Sequence, residues 1–430
     1  MENKILVTGI DIGTTKVVAV IAEIYYNYDT SATNNDYKWP VKEIKILGIG
    51  EHPSHGLKKG IVIDIEETKN SLENAIRIAE EKAECEIEDV YVGITGDHIK
   101  GMNYRGKIPI NNKNHVNGIG TEITERDVER VLEASQAINV SPGKRILHTL
   151  SQSYEVDDRK GIINPIGLSG NTLAVNVHLV TSLINVEKDI ETCFTKLGIK
   201  IKKFVLEPLA SSYSVLDENE KELGVALIDI GGGTTDILVY YDGGIQHSSA
   251  IPLAGKNLTV DISHRFKTTL EQAQELKHNQ GIAKTALASD EKIKIKGIKG
   301  RETIEISQKM LSEVIEPRMV EILSLALDEI KKSNVINKLN FGVVITGGGS
   351  QLKSLIDLSQ EVFNMPVKIG YPELKDSEIS KYINNPRYAT AIGIIQYASL
   401  DTLEDDKNSD GFDGIIKKIK ILFKRITNWY

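Results

Sequence analysis

Residues 225–241 read VALIDIGGGTTDILVYY. An apolar run ends in an acid, three glycines and two threonines follow, and a second apolar run returns. The first run is short and unbroken, as a strand buried on both faces is, and the Gly-Thr turn folds it back as a hairpin. Glycine in such a turn lets backbone N–H groups approach a ligand closely, and successive N–H groups there suit a phosphate. The same grammar opens the chain: residues 4–24 read KILVTGIDIGTTKVVAVIAEI. Setting GIDIGTTKVVAVI beside LIDIGGGTTDILVYY brings Asp11 and Asp229 to matching strand ends. A hydrated Mg2+ bridging to phosphates needs one or two such carboxylates. One such turn is common in purely structural sheets; the repeat predicts two related halves facing one another.

A third cluster, VVITGGGSQL at 343–352, is predicted to end a strand and start a helix. No Walker pattern occurs, and no dinucleotide G-x-G-x-x-G follows a strand. Further out, helical periodicity marks 66–83, 124–139, 186–197 (stopped by Gly198), 257–266, 270–278, 308–332 and 387–399. Residues 44–50, 87–96, 107–110 and 146–180 read as strands, and 25–40 as a surface loop.

The chain has 430 residues, 40% hydrophobic and 26% charged, which fits two or three folded domains rather than a disordered chain. The net charge of −8 argues against nucleic acid as a partner. Cys85 and Cys193 are the only cysteines, too few for a disulfide framework or a zinc site, and a reducing cytosol is expected. The start lacks the pattern of a secretory signal, and no apolar run is long enough to span a membrane.

Charge is unevenly spread. Residues 414–430, GIIKKIKILFKRITNWY, carry Lys417, Lys418, Lys420, Lys424 and Arg425 and no acid. The net −8 thus divides into +5 on this tail and −13 on the remaining 413 residues. On a helical wheel Ile415, Ile416, Ile419, Leu422, Phe423, Ile426, Trp429 and Tyr430 fall within an arc of roughly 140 degrees, with the cations opposite. A basic amphipathic helix with terminal aromatics suits the surface of an anionic membrane, each cation adding about 1 kcal/mol. A terminal helix docked on the body and a calmodulin-like partner are the alternatives. The preceding stretch, DTLEDDKNSDGFD at 401–413, holds six acids and one lysine and reads as a flexible linker.

The order GIDIGTT, EPLASS, IDIGGGTTDI, ITGGGSQL, RYATAIG over residues 4–400 resembles the actin/Hsp70/sugar-kinase ATPase superfamily. Within it, several stretches are similar to the FtsA family of bacterial cell-division proteins. They are GLKKGIVIDIEET (56–68), VYVGITGDHI (90–99), GVALIDIGGGTTDI (224–237), IPLAGKNLTVDI (251–262), EVIEPRMVEIL (313–323) and the detached basic tail. The resemblance implies an α/β actin-like ATPase fold: two lobes around a nucleotide cleft, with an inserted small strand-rich domain. The implied divisions are 1–84 (first lobe), 85–165 (inserted domain, filament contacts), 166–192 (first lobe continued), 193–256 (second lobe) and 257–336 (its small lobe). Residues 337–400 would complete the second lobe and return to the first, followed by linker 401–413 and membrane helix 414–430.

By the same resemblance, ATP phosphates would meet Gly13, Thr14, Thr15 and Lys16, and Gly231, Gly232, Gly233, Thr234 and Thr235. Asp11 and Asp229 would orient Mg2+ through its waters. Gly347, Gly348 and Gly349 would lie on the adenine side, with Ser350 and Gln351 near the base. Glu207 would position the attacking water; its alternative is a helix-capping or hinge carboxylate. The family's A-E-x-x-K, on the ribose side, is A-Q-E-L-K here: Lys277 matches, Gln274 offers only a neutral hydrogen bond, and Glu275 is the adjacent acid. Arg318 would receive the C-terminal peptide of the tubulin-like FtsZ, or else pair with Glu313 or Glu321 on its own helix. The implied function is a filament-forming ATP-binding adaptor, with at most slow ATP hydrolysis. It would tether FtsZ to the cytoplasmic face of the membrane at the division septum. The alternatives are a cytosolic ATPase or small-molecule kinase of the same fold, and a pilus-assembly ATPase.

Overall fold

The computed structural model describes residues 4–26, 41–110, 120–295, 303–374 and 384–405. The first lobe follows from alternation along the strand Lys16–Tyr26. Val17, Ala19 and Ile21 pack with Leu72, Ala75, Ile76 and Ala79 of the helix Ile65–Ala83. Val18, Val20, Ala22 and Ile24 point the other way, onto Ala391, Ile392, Ile394 and Ile395 of the helix Ala389–Asp405. Side chains in a strand alternate faces, so covering both faces demands the unbroken apolar run seen in the sequence.

The five strands lie in the order Lys200–Leu206, Asp89–Ile94, Lys4–Ile12, Lys16–Tyr26, Val41–Pro53. The second lobe repeats the plan as Val367–Ile369, Val343–Thr346, Val225–Ile230, Thr235–Tyr241, Gly244–Ile251. In both, the glycine hairpin is antiparallel and its first strand pairs in parallel with the next. The two halves inferred from the repeat are therefore related in topology as well as in sequence. The second sheet's far face is covered by the helices Gly255–Phe266, Gln308–Lys332 and Leu355–Phe363. The helix Glu207–Val215 touches strands of both sheets and packs along Ala389–Asp405.

The inserted unit is the four-stranded sheet Arg159–Ile162, Lys144–Val156, Thr172–Leu183, Lys100–Pro109, backed by the helix Glu125–Gln136. It therefore spans later residues than the expected 85–165. Asp89–Ile94 is apolar because both of its neighbours are core strands, and Thr172–Leu183 pairs with two strands of the insert. Other expectations shift as well. Val41–Pro53 is a long strand rather than 44–50, and Tyr25 and Tyr26 belong to a strand. The glycines of the third cluster do not start a helix. They make a single 3-10 turn, Gly348–Gln351, and the helix begins at Leu355.

The acidic stretch does not begin as a linker at 401. Lys203 Nζ and the Tyr91 hydroxyl donate to Asp401 at 2.5 and 3.2 Å, and Thr402 lies 2.7 Å from the Tyr26 hydroxyl, so the helix stays docked through these residues. The membrane-helix expectation for 414–430, the rest of the acidic stretch and most of the 25–40 loop lie outside the described residues.

Candidate functional site

Each hairpin turn ends at the cleft between the lobes, and the two turns meet there. The Cα of Gly232 faces the Thr15 side chain, and that of Gly233 faces Thr14, so tightly that neither glycine has room for a Cβ. A cavity of about 430 Å3 lies around them, a size that suits a small-molecule ligand. It is lined by Asp11, Gly13, Thr14, Thr15 and Lys16 from the first lobe, and by Asp229, Gly231, Gly232, Gly233 and Thr234 from the second. Gly347, Gly348, Gly349, Gln351, Gln274, Lys277 and Glu207, all expected, line it too.

The helix Gly255–Phe266 is tied end-on to the second turn. Gly255 N–H donates to Gly231 O at 3.1 Å and Lys256 N–H to Gly232 O at 2.8 Å. Its N-terminus thus brings partial positive charge to the glycine turn. Gly347, at φ 82°, sits where a Cβ would overlap Asp229 and the Ile230 carbonyl, which is why glycine stands there.

Two expected residues do not line the cavity. The Thr235 hydroxyl donates inward to Leu253 O at 2.8 Å, because its strand position faces away from the turn. The Ser350 hydroxyl closes its own turn onto Gly347 O at 2.7 Å. Gln274 lines the cavity, while Glu275 is solvent-exposed and does not. Lys277 Nζ donates to Gly255 O, Thr259 Oγ1 and Gln274 Oε1, each at 2.9 Å, and burial lowers its pKa to about 8. Arg318 lies away from the cavity. Its guanidinium grips Asp261 at 2.6 and 3.1 Å and also pairs with Glu321, so its acidic partners include one on a neighbouring helix.

The floor carries four buried carboxylates, and sequence reading had found three. Asp229 accepts from Ser211 Oγ at 2.6 Å and Thr390 Oγ1 at 3.2 Å. Asp236, the missed one, accepts from Thr95 of the opposite lobe and from Thr234 Oγ1 at 3.0 Å. Burial raises the pKa of Asp11 to about 6 and that of Asp236 to about 7, and raises Asp229. Glu207 is pushed well above the carboxylate range by burial, then by Asp11, Asp236 and Asp229. Crowded, desolvated acids of this kind suit a cation, which would bring them back to the charged form. Among the described residues no three His, Cys, Asp or Glu side chains converge to hold a metal directly. The donor set therefore fits a hydrated ion held through its waters. Thr95, Lys256, His278, Arg387 and Thr390 also line the cavity. Asp236 was legible as the last residue of GGGTTD; Thr95 lies in GITGDH and Arg387 in RYATAIG, which carry no spacing rule of their own.

The sequence model for "Cell division protein FtsA" matches residues 226–393, and that for the "SHS2 domain inserted in FTSA" matches 96–181, in line with the sheet boundaries above. The chain is 38% identical to the cell division protein FtsA of Pseudomonas aeruginosa over 94% of its own length and 91% of the relative's. It is 35% identical to the Escherichia coli K12 FtsA over 99% and 97%. Among solved structures it is similar in fold to the "PilM-PilN type IV pilus biogenesis complex", with a TM-score of 0.61 at 14% identity over 91% of this chain and 98% of that one. MreB5 of Spiroplasma citri, solved bound to ADP, aligns with a TM-score of 0.53 at 14% identity over 94% and 98%. Those neighbours place the two lobes in the actin-like ATPase fold, and identity above one third along nearly the whole length goes further: this chain belongs to the FtsA family of cell division proteins.

Proposed function

We propose that this chain works in cell division as an ATP-binding adaptor: the cleft binds ATP with Mg2+, copies assemble into filaments, the small lobe takes the FtsZ C-terminal peptide, and the tail holds the membrane. The carrying observation is the cleft itself, where two facing glycine turns overlie four buried carboxylates. Gly13, Thr14, Thr15, Gly231, Gly232, Gly233 and Thr234 offer N–H and hydroxyl donors to phosphates, as such turns do. Asp11 and Asp229 orient a hydrated Mg2+, which supplies charge neutralisation at the phosphates. Lys277 and Gln274 take the ribose side, and Gly347, Gly348, Gly349 and Gln351 the base side. Glu207 lines the cavity where it would orient a water, and its burial, which raises its pKa, favours the neutral form in the empty cleft.

Arg318 supports the peptide reading because an arginine already gripping carboxylates can exchange one for an acidic peptide. The tail's pattern of five cations opposite an aromatic-ended apolar face supports a reversible membrane anchor.

Co-sedimentation with anionic liposomes tests this. The full chain and a truncation after Asp405, which leaves the docked end of the helix intact, are compared with and without Mg-ATP and an FtsZ C-terminal peptide. The full chain is expected to pellet and to carry the peptide down, the truncation to stay in solution, and Arg318→Glu to pellet without peptide. Equal pelleting of full chain and truncation sinks the anchor; peptide carried equally by Arg318→Glu sinks the peptide site.

A further inference from the structure

We propose that Arg387 reads the terminal phosphate of a nucleoside triphosphate: its guanidinium is parked on Glu51 at the mouth of the cleft and transfers to that phosphate when a triphosphate binds. The inference rests on the nucleotide reading of the cleft and adds a residue that separates triphosphate from diphosphate.

Arg387 borders the main cavity and a second one of about 300 Å3 at its mouth, which is also lined by Thr15, Lys16, Glu51, Gln274 and His278. Its backbone is pinned beside the first phosphate turn. Lys16 Nζ donates to the Arg387 carbonyl at 2.7 Å and lies 4.7 Å from the centre of the Tyr388 ring, while Arg387 N–H donates to Asn385 Oδ1 at 3.1 Å. The guanidinium thus hangs from a fixed point one residue contact away from Thr14–Lys16. It pairs with Glu51, and both side chains are about one third exposed. An ion pair this exposed is weakly held, so little keeps the arginine there. A phosphate presents more charge and accepts two parallel N–H bonds from the guanidinium fork.

The neighbourhood tolerates the move. The Tyr388 hydroxyl donates to Glu51 at 2.9 Å, so Glu51 keeps a partner after Arg387 leaves. Arg387 is the only arginine on the cavity wall among the described residues. Lys16 and Lys277, by contrast, are already committed to carbonyl and hydroxyl oxygens.

Calorimetric titration of the full chain with Mg-ATP, a non-hydrolysable triphosphate and Mg-ADP tests this on the wild type, Arg387→Ala, Arg387→Lys and Glu51→Gln. Arg387→Ala is expected to lose about tenfold in affinity for both triphosphates, the size of one charge-assisted contact, and less than about twofold for ADP. Arg387→Lys should recover part of the loss, because a point charge replaces a fork. Glu51→Gln should bind triphosphate as tightly as the wild type or more tightly. Equal weakening of tri- and diphosphate by Arg387→Ala would mark a structural role and overturn the proposal. So would a Glu51→Gln variant that loses triphosphate affinity as Arg387→Ala does. A wild type that binds none of the nucleotides overturns the nucleotide reading beneath it, and that titration distinguishes the two failures.

Discussion

Gly393→Ala is expected to destabilise the chain by about 3 kcal/mol and to weaken nucleotide binding with it, although residue 393 touches no part of the cavity. Gly393 lies in the helix Ala389–Asp405 where it crosses the helix Glu207–Val215. A Cβ there would overlap the Ala210 carbonyl, which is backbone and cannot swing aside. Small residues surround this point of the crossing. Ala389, Ala391 and Ala210 are buried in it, and the Ser214 hydroxyl donates to Ala389 O at 2.7 Å. One added methyl must therefore push two helices apart. Both helices carry the floor of the cleft: Glu207 and Ser211 sit on one, Thr390 on the other, and Ser211 and Thr390 together hold Asp229. Urea unfolding should show a lower midpoint at unchanged slope, and ATP titration a lower affinity. Gly348→Ala is the control. A Cβ at Gly348 meets nothing within 4 Å, so its stability should stay within about 1 kcal/mol of the wild type. Equal stability of the two variants would show that the helix crossing has slack.

What was legible in the sequence was whatever a local pattern dictates. The apolar runs within Lys16–Tyr26 and Val225–Ile230 gave buried strands, and the recurring order of Asp, glycine and Thr-Thr gave the two halves and most of the cleft. The insert's limits were not legible. A strand such as Asp89–Ile94 carries no mark saying which sheet it joins, and pairing over a long sequence separation is decided by the assembled lobes. Thr235 turns from the cleft for a related reason. The Thr-Thr pair straddles the turn, and alternation sends one hydroxyl to the cleft and the other to Leu253. Thr95 and Arg387 were missed because their roles come from facing another lobe or another strand, Asp236 for one and Glu51 for the other.

Asp236→Asn is expected to make the ligand-free chain more stable at pH 8 while impairing its response to Mg-nucleotide. Asp236 is buried against Thr95 and Thr234, and its pKa stands at about 7, raised by burial first and by Asp229 and Asp11 as well. An unfolded aspartate titrates near about 3.9. Between those values the folded state binds more protons than the unfolded state. Stability from this group is therefore fully present below about pH 4 and is lost as the pH rises through about 7. Asparagine removes the titration yet keeps the shape, and rotating the threonine hydroxyls can satisfy its oxygen and its NH2. The variant's advantage should be near zero at pH 4 and grow to on the order of 2 kcal/mol at pH 8, below the full linkage value because neighbouring acids share the strain. Mg-nucleotide should reverse the ranking. In the wild type a bound cation offsets the buried negative charge, so the stabilisation that ligand binding adds is larger there than in the variant. Urea melts between pH 4 and pH 8.5, with and without Mg-ATP, measure both effects. A stability difference that stays flat across that range would mean that the carboxyl is not strained by its burial. The cleft's acidic floor would then be an ordinary polar core rather than a site held ready for charge.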